Sequence, residues 1–374
     1  MNINTAPVTY SSIVEIGELT ARLEKETGEK YLKLHRGVMD VTTIDLNSFV
    51  DQIDFNEKKI QQYGGNDGDT ELIETIKEQF HLKNHHVMTV PGGMATLDVV
   101  INSLSDKTFW VPKYHWGSWN KILTIHGKDI KTFNDFDIKN VRCFDPIEGF
   151  TGVVMLCYPS NPTGYAPKFE DLKAFADICK ERNQTLILDL PYYYLFNDLS
   201  DKIYELYSDN VIVISSFSKS VGLSGLRIGY IATKNKELYD TMKIRSLYKY
   251  NSISTVPQQI INNLFTTNNG KLAFDNYRRK TQSHITKNIK YLSDKGLLFD
   301  EYTDVPTGPF AIINKTFDEL LSAKISSVPL NKFTFKNNEE KLKNVSRISV
   351  SVDHDLFVEY FDRLLKRETI VFNI

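Results

Sequence analysis

The stretch from residue 151 to residue 216 constrains the fold more than any other part of this sequence. The segments TGVVMLCY, TLILDL and NVIVISS are short runs of apolar residues, and FEDLKAFADICKERN between the first two has the spacing of an amphipathic helix. Strands without polar alternation are buried on both faces, as in parallel sheets that helices cover on both sides. The middle of the chain therefore predicts an α/β fold with a mostly parallel sheet.

Further helices and strands are predicted on both sides of this stretch. Before it, SSIVEIGELTARLEKETG and GDTELIETIKEQFH have helical spacing, and HVMTV is typical of a strand. After it, helices are predicted around 234–247 and 271–293, with a shorter one near 199–207. A smaller α+β domain is predicted at the end of the chain. It would contain strands in GPFAIINK and SRISVSV and a last helix in DHDLFVEYFDRLLKR.

The composition excludes several classes of protein. Of 374 residues, 41% are hydrophobic and 25% are charged, which is typical of a globular chain. The net charge of −2 disfavours nucleic acid as a partner. No apolar run is long enough to span a membrane, and the opening segment MNINTAPVTYSS lacks the pattern of an export signal. These features predict neither membrane insertion nor export.

The cysteines and histidines give no metal site and no disulfide framework. Cys143, Cys157 and Cys179 are odd in number and lack CxxC spacing, which fits a reducing, cytoplasmic setting. The histidines of FHLKNHH have no carboxylate or cysteine at ligand spacing, so a surface loop is predicted for them and no metal is assigned.

Polar residues that could bind a ligand or take part in catalysis follow three of the predicted strands. Asn161 lies in the NPTG motif after the first strand, Asp189 and Tyr192 follow the second, and Ser216 and Lys219 follow the third. Ligands of open parallel sheets bind beyond the carboxyl ends of the strands. We therefore expect these side chains to meet in one binding site.

The residue types at these positions indicate a phosphorylated aldehyde as the ligand. A partly desolvated Lys219 has a lowered pKa and can form an imine with a carbonyl group. Arg227 and Ser216 together suit a phosphate dianion, and the glycines of PGGMAT open a helix whose amides form a second anion cradle. A buried Asp189 would keep a ring nitrogen protonated. Taken alone, the aspartate at a strand end is better explained as a helix cap and the Gly-Gly pair as a turn. The joint occurrence of all these residues indicates a pyridoxal phosphate pocket.

With these motifs the sequence resembles the fold-type I, class I/II pyridoxal-phosphate-dependent aminotransferases, closest to the aspartate and aromatic aminotransferase group. SFSKSVGLSGLRIGY is similar to the lysine signature of that family, NPTG to its asparagine motif and DLPY to its aspartate–tyrosine pair. The resemblance implies a large cofactor-binding domain over 41–272, with a mostly parallel seven-stranded sheet covered by helices. A small domain would comprise 1–40 and 273–374.

The resemblance also implies a role for each matching residue. Lys219 would carry the Schiff base and shuttle the proton, while Asp189 would pair with the pyridine nitrogen. Tyr192 and Asn161 would donate to the ring oxygen. The residues implied to hold the phosphate end of the cofactor are Ser216, Ser218, Arg227 and the amides of Gly93 and Met94.

The resemblance nominates four further residues. VPKYHWGSWN resembles the segment whose tryptophan stacks on the cofactor, which nominates Trp116 unless it is a core or interface aromatic. QQYGGNDGDTEL resembles the segment whose tyrosine reaches the neighbouring subunit's phosphate. This nominates Tyr63, otherwise a surface-loop tyrosine, and implies a homodimer with shared sites. Arg347 in SRISVS would bind the substrate carboxylate, and Gly37, Trp116 and Asn161 would also line the substrate site.

The sequence departs from the family pattern at two places. Leu247 stands where dicarboxylate-specific members carry an arginine, which argues against a strictly aspartate-specific enzyme unless Arg245 or Lys249 takes that role. The segment VPLNKFTF lacks a glycine that is common there. The alignment also brings His115, beside Trp116, towards the cofactor edge.

The predicted function is transfer of an amino group between an L-amino acid and a 2-oxo acid through a Schiff base on Lys219. A pyridoxal-phosphate-dependent lyase, synthase or amino-acid oxidase on the same fold is the alternative. A non-catalytic sensor domain fused to a winged-helix repressor is disfavoured, because no basic recognition helix precedes residue 40. The preferred amino donor stays open, since it depends on loop geometry.

Overall fold

A seven-stranded sheet lies at the centre of the molecule, which is described by a computed structural model over residues 7–138, 151–196, 202–335 and 340–371. The strands of this sheet and of two smaller sheets are β1 (Leu32–Lys33), β2 (His86–Val90), β3 (Thr108–Pro112), β4 (Asp129–Phe133), β5 (Val153–Cys157), β6 (Thr185–Asp189), β7 (Val211–Ser216), β8 (Gly229–Thr233), β9 (Phe310–Ile313), β10 (Ile325–Ser326), β11 (Val328–Pro329) and β12 (Ser346–Ser349). The central sheet has the order β2-β8-β7-β6-β5-β3-β4, and only β8 runs antiparallel to its neighbours. The predicted mostly parallel sheet is confirmed.

Helices cover this sheet because its inner strands have no polar face. Every residue of β5, β7 and β8 is buried. The helices are α1 (Ser12–Thr27), α2 (Asn47–Val50), α3 (Lys58–Gln61), α4 (Thr70–Gln79), α5 (Gly93–Ser103), α6 (Gly117–Ile125), α7 (Phe169–Glu181), α8 (Phe217–Ser220), α9 (Lys236–Tyr250), α10 (Thr255–Thr266), α11 (Asn268–Asp294), α12 (Phe317–Ser322) and α13 (His354–Val371). Helix α5 packs on β7 and β8, and α7 packs on β6.

Two smaller sheets bring the amino-terminal segment and the carboxyl-terminal part together. Strand β1 pairs with β10 in parallel, and β12 lies between β11 and β9 in an antiparallel sheet. The 27-residue helix α11 runs through the predicted boundary at 272/273. The division into a 41–272 domain and a domain of 1–40 with 273–374 stays a prediction.

The local predictions agree with the structure except at two loops. His85 is buried, with its ring edge-on to Tyr207 at a centroid distance of 5.6 Å, and His86 is the first residue of β2, so the prediction of a surface loop is wrong for both residues. The short helix expected near 199–207 is a 3₁₀ turn at Ile203–Leu206, and 197–201 lie outside the described residues.

The structure also bears on the predictions about cysteines, membrane spans and metal sites, within the residues that it describes. Cys157 and Cys179 are buried free thiols, and Cys143 lies outside the described residues. Among the helices of the described ranges, none has the length and apolar character needed to cross a bilayer. Nowhere in those ranges do three His, Cys, Asp or Glu side chains gather as a metal site would require.

Candidate active site

The carboxyl edge of the central sheet brings the predicted motifs to one cavity of about 310 Å³. Asp189 is the last residue of β6 and pairs in register with Cys157, the last residue of β5. Strand β7 ends at Ser216, and the one-turn helix α8 that follows carries Lys219. Twelve predicted site residues line the cavity: Gly37, Gly93, Met94, Trp116, Asn161, Asp189, Tyr192, Ser216, Ser218, Lys219, Arg227 and Arg347.

Lys219 is the one lysine among the residues that line the cavity. Burial lowers the pKa of its amine to about 8, and the positive charges of Arg347, Arg227 and Arg36 act in the same direction. The neutral amine is therefore present at a much higher fraction near neutral pH than in a free lysine. The backbone at Gly37 closes over this amine, since a Cβ placed there would lie 3.9 Å from Lys219 Nζ.

Asp189 is a buried carboxyl group on the floor of the cavity. It is only 8% exposed, and burial raises the pKa of Asp189 to about 7. The indole N–H of Trp119 is close enough to oppose this rise in pKa, although its geometry falls short of a hydrogen bond. A carboxyl group held in this way favours a cationic partner, because a facing positive charge would restore its ionised form.

Tyr192 and Asn161 form a polar pair beside Asp189. The Asn161 amide donates to Tyr192 Oη at 3.3 Å, so the tyrosine hydroxyl keeps its own proton available as a donor. Burial raises the pKa of Tyr192 well above its ordinary value, which keeps the hydroxyl neutral. Within the described residues Asn161 Oδ1 has no hydrogen-bond partner although it is buried, which indicates a polar ligand.

An anion cradle lies where helix α5 begins. Gly92 has φ +82°, and a Cβ there would stand 2.5 Å from Arg227 Nη2, so only glycine lets the guanidinium approach. Arg227 Nη1 donates to Ser218 Oγ at 3.2 Å and to the Ser224 carbonyl at 2.9 Å. The first amides of the eleven-residue helix and these side chains together present donors and positive charge to a phosphate group.

Arg347 presents a second group of buried cationic donors in the lining of the cavity. Its guanidinium is 1% exposed and lies between the rings of Phe310 and Phe333, with centroid distances of 4.8 and 4.9 Å. Nη2 donates to the His35 carbonyl at 3.1 Å, whereas Nε and Nη1 are buried without a partner in the described residues. Burial lowers the pKa of Arg347 to about 10, so the group remains charged. Unpaired donors of this kind suit a carboxylate.

Some predicted residues lie elsewhere. Tyr63 is 86% exposed and does not line this chain's cavity. His115 is buried away from the cavity, with its ring nitrogens 2.6 Å from the Pro112 carbonyl and from Asn120 Oδ1. The alignment that brought His115 towards the cofactor edge is therefore wrong. Arg245 and Lys249 are also absent from the lining, and Lys249 pairs with Asp98.

Sequence reasoning missed Trp119, which had a recognisable signal. Trp116 is the N-cap of α6, and Trp119 stands three positions later, so both side chains project towards the same side of the helix start. A larger cavity of about 640 Å³ also escaped prediction. It is bordered by aromatic side chains such as Phe80, Tyr194 and Phe265, and it contains none of the predicted site residues.

Comparison with solved structures defines the fold as that of aspartate aminotransferase. The aspartate aminotransferase of Thermus thermophilus with maleate superposes with a TM-score of 0.83, 18% identity, and coverage of 98% of this chain and 100% of that chain. An aminotransferase from Mycobacterium tuberculosis has a TM-score of 0.83 and 16% identity, with 97% and 98% covered. The sequence profile described as aminotransferase class I and II matches residues 31–355, and the chain belongs to this family.

Curated relatives match over shorter segments. Histidinol-phosphate aminotransferase 2 of Oceanobacillus iheyensis is 42% identical over 113 residues, which cover 29% of this chain and 30% of the relative. An aromatic aminotransferase of Arabidopsis thaliana is 28% identical over 190 residues, or 46% and 47% of the two chains. Across these and similar relatives the matched segments span from 25% to 53% of the relative's length.

The cavity fits pyridoxal phosphate, the cofactor of this family. Its phosphate matches the donors around Gly92 and Arg227, and its aldehyde matches the amine of Lys219. The buried Asp189 carboxyl and the unpaired Asn161 Oδ1 are polar groups that a ring nitrogen and a ring hydroxyl would satisfy. The residues present thus correspond to each polar end of the cofactor.

Proposed function

We propose that this protein is a pyridoxal-phosphate-dependent aminotransferase that moves an amino group between an L-amino acid and a 2-oxo acid. The observation that carries the proposal is the joint lining of one cavity by Lys219, Asp189 and two separate arginines, Arg227 and Arg347. Family membership supports it, as do relatives named for histidinol phosphate and for aromatic substrates.

The chain's own residues supply binding, orientation and proton transfer. When bound, the cofactor supplies an electron-accepting ring that stabilises negative charge at the substrate's α-carbon. Asp189 would hold the ring nitrogen in its protonated form, and Arg227, with the start of α5, would hold the phosphate. Tyr192 would donate its hydroxyl proton to the ring oxygen, which fixes the orientation of the ring.

Lys219 is the proposed acid and base of the reaction. Its pKa of about 8 lies near physiological pH, so Nζ can take the proton from the α-carbon and return it. Arg347 would bind the substrate carboxylate through the donors left unpaired in its guanidinium. With the substrate carboxylate held by Arg347 and the cofactor held by Arg227 and Asp189, the α-hydrogen would be turned towards Lys219 Nζ, which would select the bond that breaks.

Chemical trapping tests this proposal. The protein purified with pyridoxal phosphate should show a visible or near-ultraviolet absorbance band that borohydride removes, and peptide mass mapping should find the pyridoxyl mass on Lys219. Lys219→Ala should abolish amino transfer and the label while keeping the circular dichroism spectrum. The matched control is Lys287→Ala, because Lys287 is an exposed lysine on α11. Label on another residue, or activity retained by Lys219→Ala, would contradict the proposal.

Product analysis separates transfer from the alternative reactions of the same fold. A panel of acidic, aromatic, neutral and basic amino acids with 2-oxoglutarate should yield the matching 2-oxo acids and glutamate. Release of ammonia would indicate a lyase, and hydrogen peroxide would indicate an oxidase. A synthase would release neither and would form a product other than the 2-oxo acid.

We also propose a cytoplasmic homodimer with shared sites. Support comes from the exposed side chain of Tyr63, which the family resemblance assigns to the neighbouring subunit's phosphate, and from the two free buried thiols. Light scattering should give twice the chain mass. Mixing Tyr63→Phe with Lys219→Ala subunits should restore one intact site per mixed dimer if the sites are shared.

A further inference from the structure

The segment 7–13, which leads into α1, forms part of the wall of the active-site cavity, and we call it the strap. Ser11, the N-cap of α1, and Ile13, in its first turn, line the same cavity of about 310 Å³ as Lys219. Neither residue is among those proposed to hold the cofactor. Whatever keeps the strap in place therefore also shapes the cavity beside Lys219.

Lys121 on α6 holds the strap by hydrogen bonds. Its ammonium group donates to the backbone carbonyls of Thr9 and Tyr10 and, at 3.4 Å, to Thr9 Oγ1. Residues 7–10 belong to no helix or strand. Within the described part of the chain, no other side chain or backbone group hydrogen-bonds to them. Lys121 is therefore their polar attachment to the described remainder of the molecule.

A second cavity, of about 280 Å³, adjoins the first at the strap. The two cavities have four lining residues in common: Ser11, Ile13, Trp116 and Ser118. Thr9 and Lys121 line the second cavity and are absent from the described lining of the first. The strap and the start of α6 thus separate two spaces, and movement of the strap away from α6 would join them into one wider opening.

We infer that Lys121 is a positioning residue of the proposed reaction. By holding the carbonyls of Thr9 and Tyr10, it keeps Ser11 and Ile13 in the wall of the substrate site, and its removal would let the strap move outward. A lysine suits this task because charged donors make stronger hydrogen bonds than neutral donors do. The kinetic part of this inference rests on the proposed function, whereas the attachment of the strap does not.

Two matched lysine variants test the inference. Lys128 also donates to two backbone carbonyls, those of Leu104 at 2.6 Å and Asp106 at 2.8 Å, and it is absent from the described lining of both cavities. In the holoenzyme, Lys121→Met should raise KM for the amino donor by about tenfold and change kcat by less than about twofold, because the reacting groups stay in place. Lys121→Arg keeps the donors and should restore most of the lost affinity. Lys128→Met should leave both constants unchanged.

Limited proteolysis measures the attachment of the strap without turnover. Chymotrypsin cleaves after tyrosine, and the Tyr10 carbonyl that Lys121 holds belongs to the bond that would be cut. Because cleavage needs local opening, mass spectrometry should find residues 1–10 lost several times faster from Lys121→Met than from the wild type or Lys128→Met.

The inference is overturned if cleavage is unchanged, if Lys128→Met is cleaved equally fast, or if kcat falls while KM stays constant. Faster cleavage of Lys121→Met without a rise in KM would also overturn it. If no donor yields a 2-oxo acid, the aminotransferase proposal fails and the kinetic role of Lys121 fails with it. The cleavage comparison would still decide whether Lys121 holds the strap.

Discussion

Asp189→Asn in the cofactor-free protein should change how stability depends on pH. The pKa of Asp189 is about 7 in the folded protein and near 3.8 in an exposed carboxyl group. Between these values the folded state holds a proton that the unfolded state has released, so the unfolding free energy of the wild type falls as pH rises from about 4 to about 7. Asparagine has the same shape and no such proton, so the variant lacks this loss.

The size of the effect follows from the shift. One pKa unit corresponds to about 1.4 kcal/mol, so a shift of about three units makes the variant more stable than the wild type by about 4 kcal/mol above pH 7. Below pH 4 the two proteins should be equally stable. The titratable neighbours Cys157 and Tyr192 stay neutral through this window, because burial raises the pKa of both well above their ordinary values.

Urea denaturation of both cofactor-free proteins at half-unit steps from pH 4 to pH 7.5 measures the difference. Working at or below pH 7.5 limits the contribution of Lys219, whose pKa is about 8 and whose proton is common to both proteins. If the free energies of unfolding of the two proteins differ by the same amount at every pH in this range, burial does not raise the pKa of Asp189 as argued here.

Two further substitutions test the cradle and the carboxyl site. Gly92→Ala places a Cβ 2.5 Å from Arg227 Nη2 at a positive φ, so the cofactor dissociation constant in a fluorescence titration should rise by about tenfold or more. Gly225→Ala, with open space around its Cβ, should leave that constant unchanged. Trp119→Phe removes the indole N–H that lowers the pKa of Asp189, so the loss of stability with pH should end at a higher pH than in the wild type. An unaltered profile would exclude Trp119 from this role.

Much of the site was predictable because its information is local. A buried strand followed at once by a polar residue places that residue at the carboxyl edge of the sheet, which is why Asn161, Asp189, Ser216 and Lys219 were found together. Each strand and the polar residue after it can be predicted from a short segment. Because these strands are parallel, their carboxyl ends lie at the same edge of the sheet.

What the sequence did not reveal depends on contacts between distant parts of the chain. His35 Nδ1 lies 2.7 Å from Ser326 Oγ, 291 positions later, and this contact holds the amino-terminal segment whose Gly37 lines the cavity. The burial of His85 against Tyr207 is another such contact. No local pattern encodes the register of segments that meet only after folding.

The site is assembled at an electrostatic cost that explains its dependence on a ligand. The positive charges of Arg347, Arg227 and Arg36 destabilise the protonated form of Lys219. Burial of Asp189 favours the neutral form of its carboxyl group. Like charges in a partly desolvated cavity repel, and bound anions reduce that repulsion. Binding of a phosphate ester and of a carboxylate should therefore stabilise the folded chain in addition to serving catalysis, with a gain that grows with ligand concentration. Cations gathered to bind anionic ligands thus lower the stability of the folded chain by repelling one another, as is expected where a site is built for function.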